Sequence, residues 1–305
     1  MSSQTRPSSL PAVAALIAAL ITTVLFLAGL YVQLTKLSLT SQIVALQLAS
    51  FIESVVFRTG LVYLIVRWHG ERRGQLAFRR PARLLASYAL CLLAWQIAQI
   101  FIIQAVLLSL FNSGTHLMVI SKLVPPVSAV LYAFVVWLAW WFVTRVFRND
   151  ALPDAPRDHA AGYIAGLAAW LFASVWMLLM TWTVPILFDH FDDSLVRLMV
   201  GYVGAVIVPA GLVLVGARLG LSRDLVRLHG WRWLGASLAA MASLAVLFYL
   251  VLRLLESLLG MRALSVTMAI VVLGGAFVAY RVWFRVFYAP VSGDTVETSQ
   301  GMPSS

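Results

Sequence analysis

Eight long apolar segments constrain this chain more than any other feature of its sequence. A bilayer core about 30 Å thick is crossed by about 20 helical residues, and each segment is long enough to cross it. Of the 305 residues, 62% are hydrophobic and only 11% are charged, whereas a typical soluble domain has about 25% charged residues. The sequence therefore predicts an all-α, polytopic transmembrane helix bundle with eight spans: Pro11–Gln33, Ile43–Trp68, Leu84–Phe111, Leu117–Phe147, Ala160–Leu187, Leu195–Ala217, Trp233–Leu254 and Leu264–Tyr288.

The segments between the spans are too short to hold a soluble domain. We expect a short N-terminus at residues 1–10, one transmembrane domain at 11–288 and a disordered polar tail at 289–305. The third and seventh spans open alike, with "RLLASYALCLL" and "RWLGASLAAMA". Either the chain is a 4+4 repeat, with halves at about 1–150 and 151–290, or the helices share only the composition typical of membrane interfaces.

The basic residues lie mainly on one side of the predicted bundle. Sixteen of the 22 Lys and Arg residues fall in one set of alternate connecting segments and four fall in the other. Cytoplasmic loops carry the excess of Lys and Arg, so both termini are predicted to be cytoplasmic, in a bacterial inner membrane. The net charge of +10 then predicts contacts between these loops and anionic lipid headgroups, and no binding of nucleic acid.

Two charged residues interrupt the second span, in the stretch "FIESVVFRTG". A charge at the centre of a bilayer costs about 2.5–3.5 kcal/mol or more. Glu53 and Arg58 point about 140° apart on a helical wheel and do not face each other. Arg58 can extend toward the cytoplasmic headgroups, whereas Glu53 lies near the middle of the membrane and needs a partner. Lys122 in the fourth span is the candidate partner.

Further polar residues surround these charges. In the second span, Gln47, Ser50, Ser54 and Arg58 lie within a sector of about 80° of the helix. In the third span, Gln96 and Gln99 share a face, and they either hydrogen-bond to neighbouring helices or form a polar wall opposite Glu53.

Prolines and glycines indicate where the helices bend or pack closely. Pro125 and Pro126 follow Lys122 closely and predict a break in the fourth span, and Pro209 predicts one in the sixth. Gly162 and Gly166 in the fifth span have the spacing of small residues at close helix–helix contacts. These features suit both transport sites and ordinary helix packing.

The sequence offers little support for catalysis. The predicted outer loops contain Asp189, His190, Asp192 and His116, whose oxygen and imidazole groups suit divalent metals, although a solvated polar loop is the more ordinary interpretation. The only cysteine is Cys91, and no HExxH, GxSxG or Walker motif occurs. An intramembrane enzyme, with Glu53 as acid or base and the outer Asp and His residues binding metal, therefore ranks below the functions that follow, and we predict no cofactor.

Two functions remain open. Short loops and polar helix-packing residues favour an accessory, assembly or sensory component that binds other membrane proteins. The alternative is a transporter or flippase for a small or lipid-linked substrate, with Glu53, Arg58 and Lys122 forming its intramembrane site.

Overall fold

A computed structural model of the chain describes residues 10–36, 41–112, 117–152, 160–181, 195–222, 225, 228–255 and 261–289. Within these ranges the chain forms eight α-helices: α1 Leu10–Lys36, α2 Ser41–Arg73, α3 Pro81–Asn112, α4 Leu117–Val146, α5 Ala161–Thr181, α6 Leu195–Gly220, α7 Gly230–Leu255 and α8 Met261–Phe287. Each helix contains a stretch long and apolar enough to cross a membrane. The all-α polytopic bundle is confirmed, and the chain is an integral membrane protein.

The other topological expectations stay predictions. These are the cytoplasmic location of both termini, the bacterial inner membrane, the 4+4 repeat and the division of the chain at residues 10 and 289. Most of the two terminal segments lies outside the described residues.

Helix α2 extends beyond its predicted end at Trp68 and continues to Arg73. It ends there because Gly74 adopts a left-handed conformation, with φ of 64°, which favours glycine. The backbone N–H of Gln75 then donates to the carbonyl of Gly70 at 3.0 Å. This pattern is a Schellman motif, which satisfies a carbonyl at the end of the helix.

Helix α2 lies between two apolar cores. On one side it packs with α1, α3 and α4 around Tyr88, Tyr132 and Trp140, which are almost fully buried. On the other side Tyr63 and nearby apolar residues of α2 contact a core formed by α5, α6, α7 and α8, in which Tyr280 is fully buried. The middle of α2, including Glu53 and Arg58, is therefore partly buried between neighbouring helices.

A short antiparallel strand pair joins two of the connecting segments. Strand β1 (Ala77–Phe78) pairs with β2 (Ala151–Leu152), and the Arg79 N–H donates to the Asp150 carbonyl at 2.8 Å. A single 3₁₀ turn, Arg148–Asp150, precedes β2. These bonds attach the α2–α3 connection to the segment that follows α4.

Candidate functional site

Arg58 is held inside the bundle by neighbouring helices. Its Nη1 donates a hydrogen bond to Gln96 Oε1 at 2.9 Å, and its guanidinium carbon lies 5.1 Å from the centre of the Tyr132 ring. Arg58 and Gln96 each lie about 22 Å along their helices from Arg73 and Pro81, which are on the same side of the bundle. The side chain thus binds across the bundle at its own depth and does not extend to the helix ends.

A cavity of about 480 Å³ separates parts of α1, α2 and α3. Arg58 lies at one end of its lining. At the other end, near the last residues of α1 and the first residues of α2, Gln47 Nε2 donates a hydrogen bond to Gln33 Oε1. We call it the polar cavity, because eight of its lining residues are polar: Thr22, Gln33, Gln47, Ser50, Ser54, Arg58, Gln96 and Gln99.

A second cavity, of about 250 Å³, lies between α2, α4 and α5. Its lining includes Glu53, Ser54, Arg58 and Ser128, so Ser54 and Arg58 border both cavities. Gln99 Nε2 donates to Ser128 Oγ at 2.6 Å and connects the linings of the two cavities. Although Glu53 and Arg58 lie far apart around the helix, the structure brings them to the wall of one cavity.

The positive charge of Arg58 has no matching carboxylate in the part of the chain that the structure describes. The carboxylates described are those of Glu53, Glu71 and Asp150, and none forms an ion pair with Arg58. A guanidinium has five N–H donors and stays charged in proteins. One of these donors is bound to Gln96, and the guanidinium lies between two cavities. Among the described residues the guanidinium therefore has only neutral partners, and it presents positive charge to the polar cavity.

A second polar cluster was not predicted from the sequence. Both carboxylate oxygens of Glu71 lie within hydrogen-bonding distance of the Tyr163 hydroxyl, at 2.8 and 2.7 Å. Glu71 also accepts hydrogen bonds from Arg67 Nε at 2.6 Å and from the Leu228 N–H at 3.1 Å. The Arg67 guanidinium lies over the Tyr163 ring at 4.3 Å. This group, the Glu71 cluster, joins α2 to α5 and to the segment before α7.

Several predicted site residues fall where side chains are not described. Lys122, Pro125 and Pro126 belong to α4, which continues as one helix through both prolines, but their side chains lie outside the described residues. The pairing of Lys122 with Glu53 therefore stays a prediction. Helix α6 likewise continues through Pro209, which is buried.

The predicted metal ligands Asp189, His190, Asp192 and His116 also lie outside the described residues. Within the described ranges, no three His, Cys, Asp or Glu side chains are grouped in a way that could hold a metal ion.

A close approach of two helix backbones is found at other glycines than the predicted ones. A Cβ added at Gly162 or Gly166 would meet no atom within 4 Å, whereas one added at Gly216 would lie 2.5 Å from the Phe277 carbonyl oxygen. The tight approach therefore occurs between α6 and α8. At Gly60, the missing side chain leaves room for the indole of Trp170.

Comparison with known proteins adds no functional information. No protein family matches this chain, and no curated protein sequence or solved structure is significantly similar to it.

Proposed function

We propose that this protein is a transporter or flippase whose substrate places a negatively charged group in the polar cavity, next to Arg58. The observation that carries the proposal is a guanidinium deep in the bundle, bound to neutral partners and bordering a cavity of about 480 Å³. Holding a cation in a membrane without a counter-ion is costly. An anionic group would offset that cost through charge-assisted hydrogen bonds.

The remaining lining suits a polar substrate group. Ser50, Ser54 and Gln99 supply hydroxyl and amide groups that both donate and accept hydrogen bonds. Phe26 and Phe51 stack at 4.2 Å between ring centres and form part of the apolar wall. Pockets that bind small molecules usually combine apolar walls with a few polar groups, in volumes of about 300–1,000 Å³. The polar cavity has both features.

The position of Arg58 also supports movement of the substrate. Its side chain borders both cavities, so a change of rotamer could carry its charge from the polar cavity toward Glu53. Glu53 would then compete with the substrate for the guanidinium. The Arg58 side chain would then have two alternative positions, and a transporter that alternates between two states requires such an element.

The experiment uses the full-length protein in proteoliposomes, with two probes. One probe is phosphatidylglycerol with a fluorescent acyl chain, whose transfer between leaflets is measured by dithionite bleaching. The other is uptake of radiolabelled inorganic phosphate. We expect wild-type protein to move one of the probes, and Arg58→Gln to lower that rate at least tenfold.

The matched control is Arg253→Gln. Arg253 is an exposed arginine near the end of α7, where its Nε donates to the Tyr249 hydroxyl at 3.3 Å. This variant removes the same charge and should transport normally. Equal rates for wild type and Arg58→Gln, or no transport of either probe by the wild type, would contradict the proposal. Glu53→Gln should change the rate without preventing insertion.

The accessory, assembly or sensory function stays a prediction. Many large apolar side chains are exposed on the outside of the helices, for example Val130, Val196 and Ile270. Such surfaces suit lipid chains as well as a partner protein, so they do not favour this function over transport.

A further inference from the structure

Three arginines from two distant parts of the chain line a separate cavity of about 430 Å³. It lies where α2 and α4 end, at the last residues of two membrane spans, Ile43–Arg73 and Val127–Val146. We call it the basic cavity, and its lining residues are Arg73, Gln75, Trp141, Thr144, Arg145 and Arg148.

Backbone contacts hold the two sides of the basic cavity in place. The hydrogen bond from the Gln75 N–H to the Gly70 carbonyl sets the turn after Arg73. The pairing of β1 with β2, with the bond from the Arg79 N–H to the Asp150 carbonyl, then keeps this turn beside the 3₁₀ turn that begins at Arg148. The fold therefore brings Arg73 to the cavity lined by Arg145 and Arg148, although Arg73 lies more than 70 residues away from them in the sequence.

Arg145 lies in the last turn of α4. The Arg145 guanidinium carbon lies 5.2 Å from the centre of the Trp141 ring, which limits the positions of the side chain. The Thr144 hydroxyl donates to carbonyls of its own helix, at 2.8 Å for Trp140. It therefore contributes an acceptor oxygen to the lining rather than a free donor.

No carboxylate lines the basic cavity, and Arg73, Arg145 and Arg148 form no ion pair with a carboxylate that the structure describes. The negative end of a helix dipole favours a cation in the last turn, which accounts for Arg73 and Arg145 individually. It does not account for Arg148, which lies beyond the last turn of α4 and lines the same cavity. Like charges repel, so a bound anion would stabilise this arrangement.

We propose that the basic cavity binds the phosphoryl group of an anionic ligand. The planar guanidinium presents paired donors that match the oxygens of a phosphate group, and Gln75 adds an amide donor. The cavity lies at the ends of membrane spans, the level at which phospholipid headgroups lie, and tryptophan is common at this depth. The phosphoryl group can belong to a phospholipid or to a soluble phosphate compound, and the two sources share this chemistry.

The test measures ligand binding to the purified full-length protein in detergent by native mass spectrometry. The probes are phosphatidylglycerol, the zwitterionic lipid phosphatidylcholine, and inorganic pyrophosphate as a soluble competitor. The test variant is Arg73→Gln/Arg145→Gln/Arg148→Gln. The control is Arg79→Gln/Arg80→Gln/Arg83→Gln, which removes three exposed positive charges from the same side of the bundle, outside the basic cavity.

We expect the test variant to bind phosphatidylglycerol at least tenfold more weakly than wild type, and the control to lose about twofold or less. Phosphatidylglycerol binding that pyrophosphate does not displace identifies a lipid headgroup as the ligand, and displacement identifies a soluble phosphate compound. The proposal would be overturned if the two triple variants lost phosphatidylglycerol binding equally. It would also be overturned if wild type bound the two lipids equally and did not bind pyrophosphate. Helical circular dichroism confirms folding, and the single variant Arg148→Gln should show a smaller loss in the same direction.

This site is independent of the proposed transport function. Arg58 borders different cavities, so the difference in phosphatidylglycerol binding between the two triple variants should be the same with and without Arg58→Gln. Loss of transport with retained lipid binding, or the reverse, tells the two proposals apart.

Discussion

Glu71→Met should strongly destabilise the bundle, because it leaves Arg67 without a counter-ion. The Arg67 and Glu71 side chains are only 11% and 10% exposed, and Arg67 Nε lies 2.6 Å from Glu71 Oε1. Removal of one partner from a buried ion pair costs about 3–5 kcal/mol, since an uncompensated charge stays buried. The thioether of methionine is only a weak acceptor and does not replace the carboxylate that accepts from Tyr163 and the Leu228 amide, so we expect a loss in the upper part of that range.

The double variant Arg67→Met/Glu71→Met gives the more decisive comparison. Replacement of both members of a buried pair by apolar residues of similar volume is often neutral or even stabilising. We therefore expect the double variant to be more stable than Glu71→Met alone, by about 2 kcal/mol or more. Arg72→Met, at an exposed neighbouring position, should change stability by about 0.5 kcal/mol or less.

The assay is reversible unfolding in mixed micelles with an increasing fraction of sodium dodecyl sulfate, followed by far-ultraviolet circular dichroism. All four proteins are compared at the same detergent composition. If the double variant is no more stable than Glu71→Met, the stability lost in Glu71→Met does not come from the unpaired charge of Arg67, and the reasoning is refuted.

The remaining predictions concern glycines, measured in the same assay. Gly216→Ala should lose about 1–3 kcal/mol, because its Cβ would lie 2.5 Å from the Phe277 carbonyl oxygen. The control is Gly211→Ala, where a Cβ would meet nothing within 4 Å. This variant should be as stable as wild type or gain up to about 1 kcal/mol from helix propensity. An equal loss of stability in Gly216→Ala and Gly211→Ala would contradict the packing explanation. Gly74→Ala should lose about 1–2 kcal/mol of stability, because φ is 64° at this position. An unchanged midpoint of unfolding in sodium dodecyl sulfate would show that the turn tolerates a side chain.

The architecture could be predicted because every helix that crosses a bilayer needs at least about 20 mostly apolar residues. The start of the sixth span was predicted at Leu195, where α6 begins. The second span was predicted to end at Trp68, whereas α2 continues to Arg73. Hydropathy falls where charged residues begin, but the backbone hydrogen bonds of a helix continue until a residue such as Gly74 stops them.

The Glu71 cluster could not be predicted, because its partners are distant in the sequence. The segment around Glu71 was interpreted as a basic loop that contacts lipid headgroups. Its spacing of four residues from Arg67 was a usable local signal for an ion pair. Nothing local connects Glu71 to Tyr163, 92 residues away, or to the Leu228 amide. Those contacts depend on which helices become neighbours, and helix pairing is not encoded in the pattern of any one helix.

In the candidate transport site, too, the features local to one helix could be predicted and the contacts between helices could not. The helical wheel grouped Gln47, Ser50, Ser54 and Arg58 on one sector of the second span, and all four line the polar cavity. That result follows from the periodicity of the helix alone. The partner of Arg58 does not follow from it, because the hydrogen bond to Gln96 requires residues of α2 and α3 to lie at equal depth where both helices line the polar cavity. Among the described residues the partners of Arg58 are the neutral side chains of Gln96 and Tyr132, so the contacts that determine the charge of the proposed site are ones that periodicity could not supply.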